Sequence, residues 1–173
     1  QVEAESALET RARHDDLTGL INRAEVFSQL RARLAQQPRT GKEVAVAFCD
    51  LDGFKEINDT YGHKMGDQVL ITLAHEIRRL LRRDDVVARI GGDEILLVLN
   101  GVHDLDGAVA VAEKVRANCS EVHEYQGEQY VPRISIGVTV MRSGENVDDL
   151  IARADRAMYS VKRMGGNQVV GVN

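Results

Sequence analysis

Apolar positions recur along this chain with two different periods, and the switches between them divide it into elements. Glu43 to Cys49 (EVAVAFC) is a near-continuous apolar run. Such a run predicts a central strand covered on both faces. It ends in Asp50-Leu51-Asp52-Gly53. Val86 to Leu99 holds two apolar runs on either side of Gly91-Gly92-Asp93-Glu94, which reads as a hairpin with the two glycines in a tight turn. Tyr130 to Met141 reads as a strand entered through Pro132, and Gln168 to Val172 as a last strand. Between them the period changes to that of helices. Val26, Phe27, Leu30 and Leu34 line one side of 24–37, which Pro38 stops. Residues 54–67 read as a short helix and a Gly-rich loop. From Asp67 a longer helix carries Val69, Leu70, Leu73, Ala74, Ile77, Leu80 and Leu81. Helices over 105–122 and 147–164 follow, the second ended by Gly165 and Gly166.

This order contains the unit βαββαβ. It predicts an α/β (α+β) fold of ferredoxin-like topology, with a mixed, mainly antiparallel central sheet flanked by helices. In that topology the first strand lies beside a strand of the hairpin, which brings Asp50 within reach of Asp93.

A length of 173 residues suits one domain with one sizeable core. Residues 1–13 (QVEAESALETRAR) are charged, helix-prone and poor in apolar surface. They read as a helical connector from a missing upstream domain, with 14–173 as the domain proper. The net charge of −5 and the lack of Trp argue against binding of a nucleic-acid polymer. No apolar run reaches the length of a membrane span, and the first residues are no signal peptide, so the domain is expected in the cytoplasm without membrane contact of its own. That expectation leaves open an anchor elsewhere in a longer protein. Cys49 and Cys119 lie in apolar-periodic segments and read as buried thiols.

The chemistry sits at strand ends. Asp93 and Glu94 stand where a buried hairpin would resume with Val or Ile. Alone they read as solvated acids at an exposed tip. With Asp50 across from them they form a hard oxygen site suited to Mg²⁺ or Mn²⁺. Gly53, and the helix that starts at Phe54, offer free backbone N–H groups to a phosphate, and Lys55 adds charge. Asn58 and Asp67 would satisfy the amino and carbonyl edges of guanine. Each also has a purely local reading: Asp67 as an N-cap, Asn58-Asp59 as a turn, Asp52 as a cap of the short helix.

Five segments in order, HDDLTGLINR, DLDGFKEINDTYGHKMGD, DDVVARIGGDEI, ISIGV and ADRAMYSVKRMGGN, resemble the GGDEF family of diguanylate cyclases, here with a GGDEI signature. The resemblance covers nearly all of 14–170. It implies a fold like the polymerase palm and the class III nucleotide cyclases. It also implies the condensation of two GTP molecules to cyclic di-GMP and two pyrophosphates, each subunit of a homodimer presenting one GTP. Carried over, Asp50 and Asp93 match the metal ligands, helped by the Leu51 carbonyl. Asp93 would also assist deprotonation of the attacking 3′-hydroxyl, and Glu94 would assist the metal. Gly91 and Gly92 would give the nucleotide room. Asn58 and Asp67 match the guanine contacts, and Lys55 and Lys162 the phosphate contacts. Arg82 and Asp85 match an RxxD site for inhibitory product, whose local reading is an i to i+3 ion pair. Lys114 stands where a second inhibitory-site Arg is common. Three positions depart from the pattern. Ile95 replaces Phe on the core side of a strand, and Ala24 replaces the common Arg. Gly166 replaces an Arg that helps hold the terminal phosphates, which implies weaker GTP binding. The second reading is a domain without turnover that binds cyclic di-GMP or GTP.

Overall fold

The computed structural model describes residues 12–36 and 43–173. Most of the expected connector, and the boundaries expected at Pro38 and Gly41, lie outside the described residues. The elements run β1 (Ile21–Asn22), α1 (Arg23–Ala35), β2 (Glu43–Leu51), α2 (Phe54–Tyr61), α3 (His63–Leu80), β3 (Val86–Arg89), β4 (Glu94–Val102), α4 (Leu105–Cys119), β5 (His123–Tyr125), β6 (Glu128–Tyr130), β7 (Ile134–Val140), α5 (Val147–Arg163) and β8 (Val169–Val172).

Six strands form one sheet in the order β1-β3-β4-β2-β7-β8. The two outer pairings are parallel and the three inner ones antiparallel. The mixed, mainly antiparallel sheet read from the sequence is therefore the sheet observed. β2 lies between β4 and β7 and is covered on both faces, which is why its apolar run is unbroken. Ala45, Ala47, Cys49 and Leu51 pack towards α3 and α4, with Val69, Leu73, Ile77, Ala112 and Val115. Val46 and Phe48 pack on the opposite side towards α1 and α5, with Val26, Leu30, Leu150 and Met158. The period-2 alternation of a strand then fixes the next residue. Asp50 follows Val46 and Phe48 onto the α5 side. In β4, Leu96 and Val98 lie on that side and Ile95, Leu97 and Leu99 on the other. Glu94 therefore shares a face with Asp50, its direct cross-strand partner.

Four details differ from the sequence reading. The Gly-rich loop after α2 shrinks to a break at Gly62, and α3 begins at His63, so Asp67 lies inside a helix and caps nothing. Asn58 is inside α2, and its carbonyl accepts from Gly62 N–H instead of forming an Asn-Asp turn. Tyr130 belongs not to β7 but to a separate β5–β6 hairpin closed by Gln126 and Gly127, both at positive φ. Pro132, which has no N–H to donate, falls in the link before β7. The parallel strand β1 is too short to carry a periodic signal. Cys49 and Cys119 are buried free thiols, as expected. Among the described residues no helix is long and apolar enough to cross a membrane.

The sheet end opposite Asp50 is closed by a buried ion pair. Arg153 of α5 is 8% exposed. Its Nη1 lies 2.7 Å from Glu145 Oε1 and its Nε donates to Thr139 Oγ1 at 2.7 Å. Burial raises the Glu145 carboxyl, but Arg153 and the Arg142 N–H outweigh it and hold it below its usual range. Removing one partner of such a pair strands a buried charge. Arg153→Ala is expected to cost about 3–5 kcal/mol in urea unfolding. Arg153→Met combined with Glu145→Leu should recover most of that loss.

Candidate functional site

Where β2 ends, its backbone stays tied to both neighbours. Leu51 N–H donates to the Asp93 carbonyl at 3.3 Å, and Asp52 N–H to the Arg133 carbonyl at 2.7 Å. Asp50 and Asp93 are thereby held at the tips of adjacent elements. Burial first, then the neighbouring Asp93 carboxyl, push the Asp50 carboxyl up to about 7, against the pull of Lys162. Lys162, in the last turn of α5, reaches down to Asp50 Oδ1 at 3.1 Å and Asp52 Oδ1 at 3.2 Å. Burial works against its charge, but the two aspartates hold its pKa above the usual value. The contact to Asp50 is an ion pair without the alignment of a hydrogen bond, so the buried Asp50 Oδ1 has a counter-charge and no aligned donor.

Asp52 is the residue that sequence reasoning undervalued. It does not cap α2, whose N-cap is Gly53 with no side-chain bond. Instead its Oδ1 accepts from Ser135 Oγ at 2.7 Å and from Lys162, and its Oδ2 from Asn167 N–H at 2.8 Å. It ties β2, β7, α5 and the loop after α5 together. Asn167, at φ 52, is held in turn through its side-chain oxygen by Ser120 Oγ at 3.3 Å and Arg116 Nη1 at 3.4 Å.

The hairpin turn is longer than two glycines, since residues 90–93 connect β3 to β4. Neither Gly91 nor Gly92 is in the left-handed region. Glu94 folds back over Gly91, where a Cβ would stand 2.1 Å from Glu94 Oε1. Beside Gly92 there is open space. The glycine carbonyls are held by Arg89, which donates to Gly92 O at 2.8 Å and to Gly91 O at 3.2 Å. Arg89 Nη1 also lies 3.3 Å from Asp15. Burial raises the Asp15 carboxyl, but the Thr18 N–H and hydroxyl and Arg89 hold it below its usual range. The sequence signal for this brace was the polar pair Asp15 and Thr18 around the Thr18-Gly19 turn.

A family model described as "Diguanylate cyclase, GGDEF domain" matches residues 12–168. The bifunctional diguanylate cyclase/cyclic di-GMP phosphodiesterase MucR of Pseudomonas aeruginosa is 38% identical over 157 residues, 90% of this chain and 23% of that protein. The diguanylate cyclase DgcM of Escherichia coli (strain K12) is 37% identical over 172 residues, 98% of this chain and 41% of that protein. The crystal structure of the coiled coil and GGDEF domain of DgcB from Caulobacter crescentus, in complex with c-di-GMP, matches with a TM-score of 0.91 at 28% identity. It covers 99% of this chain and 91% of that one.

The chain belongs to the GGDEF family. It spans well under half the length of the two curated relatives. In this GGDEF domain, Ile95 is 1% exposed and packs on the α3–α4 side, as its strand position predicts. Phe54 also packs its ring on that core, leaving only its backbone to the site. Lys55 is exposed on α2. Asn58 lies against α3 at Gly66, next to the exposed Asp67, so these two residues are brought together. Arg82 and Asp85 do form an ion pair, at 3.5 Å. The Asp85 side chain is 3% exposed and the Arg82 side chain 61%. Asp85 is occupied by backbone donors, Asn100 N–H at 3.0 Å and Arg82 N–H at 3.1 Å, while the Arg82 guanidinium rests on the Asn100 carbonyl. Lys114 is exposed on α4, and among the described residues no hydrogen bond or ion pair joins it to that turn.

Among the described residues, no three His, Cys, Asp or Glu side chains are gathered to hold a metal ion. The expected carboxylate trio is a close Asp50–Asp93 pair with Glu94 turned back over Gly91. Burial and the charges of Asp93 and Asp155 raise the Glu94 carboxyl, opposed by Arg23 and Lys162. The donors are nevertheless hard oxygens, and the buried Asp50 Oδ1 has no aligned hydrogen bond, so the residues fit a divalent cation.

An aspartate whose folded pKa lies near 7 binds a proton that the unfolded chain releases near the ordinary aspartate value of 3.8. Stability then falls as pH rises between those values and stays reduced above them. With chelator present, Asp50→Asn is expected to raise Tm at pH 8 by roughly 2–4 °C. Thermal scans at pH 5, where Asp50 is already neutral, should show little difference between the two proteins.

Proposed function

We propose that residues 14–173 are a diguanylate cyclase domain, acting as a homodimer in which each subunit presents one GTP. The observation that carries this reading is the Asp50–Asp93 pair, two carboxyl groups held together at adjacent strand tips beside Lys162. It is supported by membership in a family whose relatives are named diguanylate cyclases.

The chemistry asked of the site is two in-line displacements. In each, a 3′-oxygen loses its proton and bonds to the α-phosphorus of the facing GTP, and the bond from that phosphorus to pyrophosphate breaks. Asp93 takes the proton as general base. Asn58 and Asp67 face the guanine edge, with the Asn amide and the Asp carboxylate supplying donor and acceptor. Gly53 and the first N–H groups of α2 receive phosphate, aided by Lys55. Lys162, freed from one of its aspartates, turns to the phosphates. Mg²⁺ or Mn²⁺, held by Asp50, Asp93 and the Leu51 carbonyl with Glu94 nearby, would supply positive charge for the α-phosphate and the departing pyrophosphate. The exposed Arg82 is the half of the RxxD turn that binds product, with Asp85 holding the turn and Lys114 adding charge.

A second reading, a domain that binds cyclic di-GMP or GTP without turnover, is favoured by Gly166, which has no side chain to offer the phosphates. Incubation with GTP and Mg²⁺ followed by chromatography separates the two. Cyclic di-GMP and two equivalents of pyrophosphate are expected, with specific activity rising with protein concentration. Asp93→Ala should lower turnover by at least about a hundredfold, and Arg82→Ala should relieve inhibition by added cyclic di-GMP. Tight cyclic di-GMP binding with no pyrophosphate released at any protein concentration would leave the second reading standing.

A further inference from the structure

The cations at this site do not match its acids. Asp50, Asp52, Asp93 and Glu94 meet at one end of the sheet. Among the described residues Lys162 is the cation in ion-pair contact with them, and Asp50 and Asp52 already share its charge. A nucleoside triphosphate brings further negative charge to the same end.

Arg133 stands there unspent. Its carbonyl accepts from Asp52 N–H at 2.7 Å, and the next residue, Ile134, pairs with Leu51. Its exposed guanidinium donates through Nη2 to the Gly165 carbonyl at 3.2 Å. Among the described residues it has no carboxylate at ion-pair distance. A guanidinium carries five N–H donors in a planar fork, so one carbonyl bond leaves most of them free. The carbonyl it holds belongs to the loop whose next residue, Gly166, has no side chain. At Gly166 φ is +77, and a Cβ would stand 2.6 Å from Asp52 Oδ2. Asp52 is fixed by Ser135, Lys162 and Asn167, so that backbone position has little room for a cationic side chain.

We propose that Arg133 binds the terminal phosphates of the nucleoside triphosphate, reaching them from the start of β7, and sets the preference for triphosphate over monophosphate. The proposal rests on the reading of this site as a GTP site. Swinging away from Gly165 exchanges one bond to a neutral carbonyl for a fork on charged phosphate oxygens.

The test uses 3′-deoxy-GTP and 3′-deoxy-GMP, which lack the attacking hydroxyl and are not consumed. Titration calorimetry in saturating Mg²⁺ is expected to show about a tenfold loss of 3′-deoxy-GTP affinity in Arg133→Ala. Affinity for 3′-deoxy-GMP should stay within about twofold. Arg133→Gln keeps a donor for Gly165 without the charge and should behave like Arg133→Ala, while Arg133→Lys should retain most of the affinity. Unchanged triphosphate binding in Arg133→Ala, equal losses for both nucleotides, or full rescue by Arg133→Gln would each overturn the proposal. Wild-type protein that binds neither nucleotide would instead overturn the GTP-site reading beneath it.

Discussion

Lys162 Nζ lies between Asp50 and Asp52, 3.1 and 3.2 Å away, and one whole end of the sheet is built on that contact. Two aspartates on a strand end that packs between two other strands repel each other and resist burial. The lysine makes the arrangement tolerable by tying the last turn of α5 to β2. The helix is brought to the strand, and the loop after it is brought to Asp52 through Asn167. An ammonium on a flexible stem suits this task, because it supplies charge without the fixed fork of a guanidinium. Lys162 thus keeps Asp50 and Asp52 close, while Asp93 and Glu94 have no ion-pair partner among the described residues.

The hairpin depends on a second charge pair at a distance in sequence. Arg89 takes the carbonyls of both turn glycines and is itself anchored by Asp15. Glycines offer no side chain to hold a turn in place, so the donors must come from outside it. Asp15 is well suited to this, since the Thr18 hydroxyl and N–H also hold its carboxylate. The segment before β1 therefore contributes to the placement of Asp93, although it lies far from it along the chain.

What could be read from the sequence follows from period. Two-residue alternation through EVAVAFCD places Asp50 on the α5 side, and the same rule applied to β4 gives Glu94, so the pairing of the acids was legible once the strands were. The hub role of Asp52 was not. DLDG at a helix start is a strong local signal for a cap, and the partners that claim the side chain, Ser135, Lys162 and Asn167, come from three later segments. Asp67 was misread as a helix start for a related reason. Gly62 and Gly66 both break a helical pattern on paper, and only packing against Asn58 shows that α3 runs through the second. The β5–β6 hairpin was hidden because three-residue strands carry no alternation long enough to see.

Two of the three departures from the family pattern, Ile95 and Gly166, carry different physical weight. Ile95 faces α3 and α4, away from the carboxylates, and it is fully buried among aliphatic side chains. An apolar residue there preserves the core, and its effect on Asp93 is limited to small shifts of the strand. Gly166 lies on the side that matters. Its left-handed φ is one that residues with a Cβ adopt with strain, and the space a Cβ would need is filled by an Asp52 carboxylate with three fixed partners. A longer residue at that position must first move Asp52, and moving Asp52 loosens Lys162. The glycine and the aspartate hub therefore belong together.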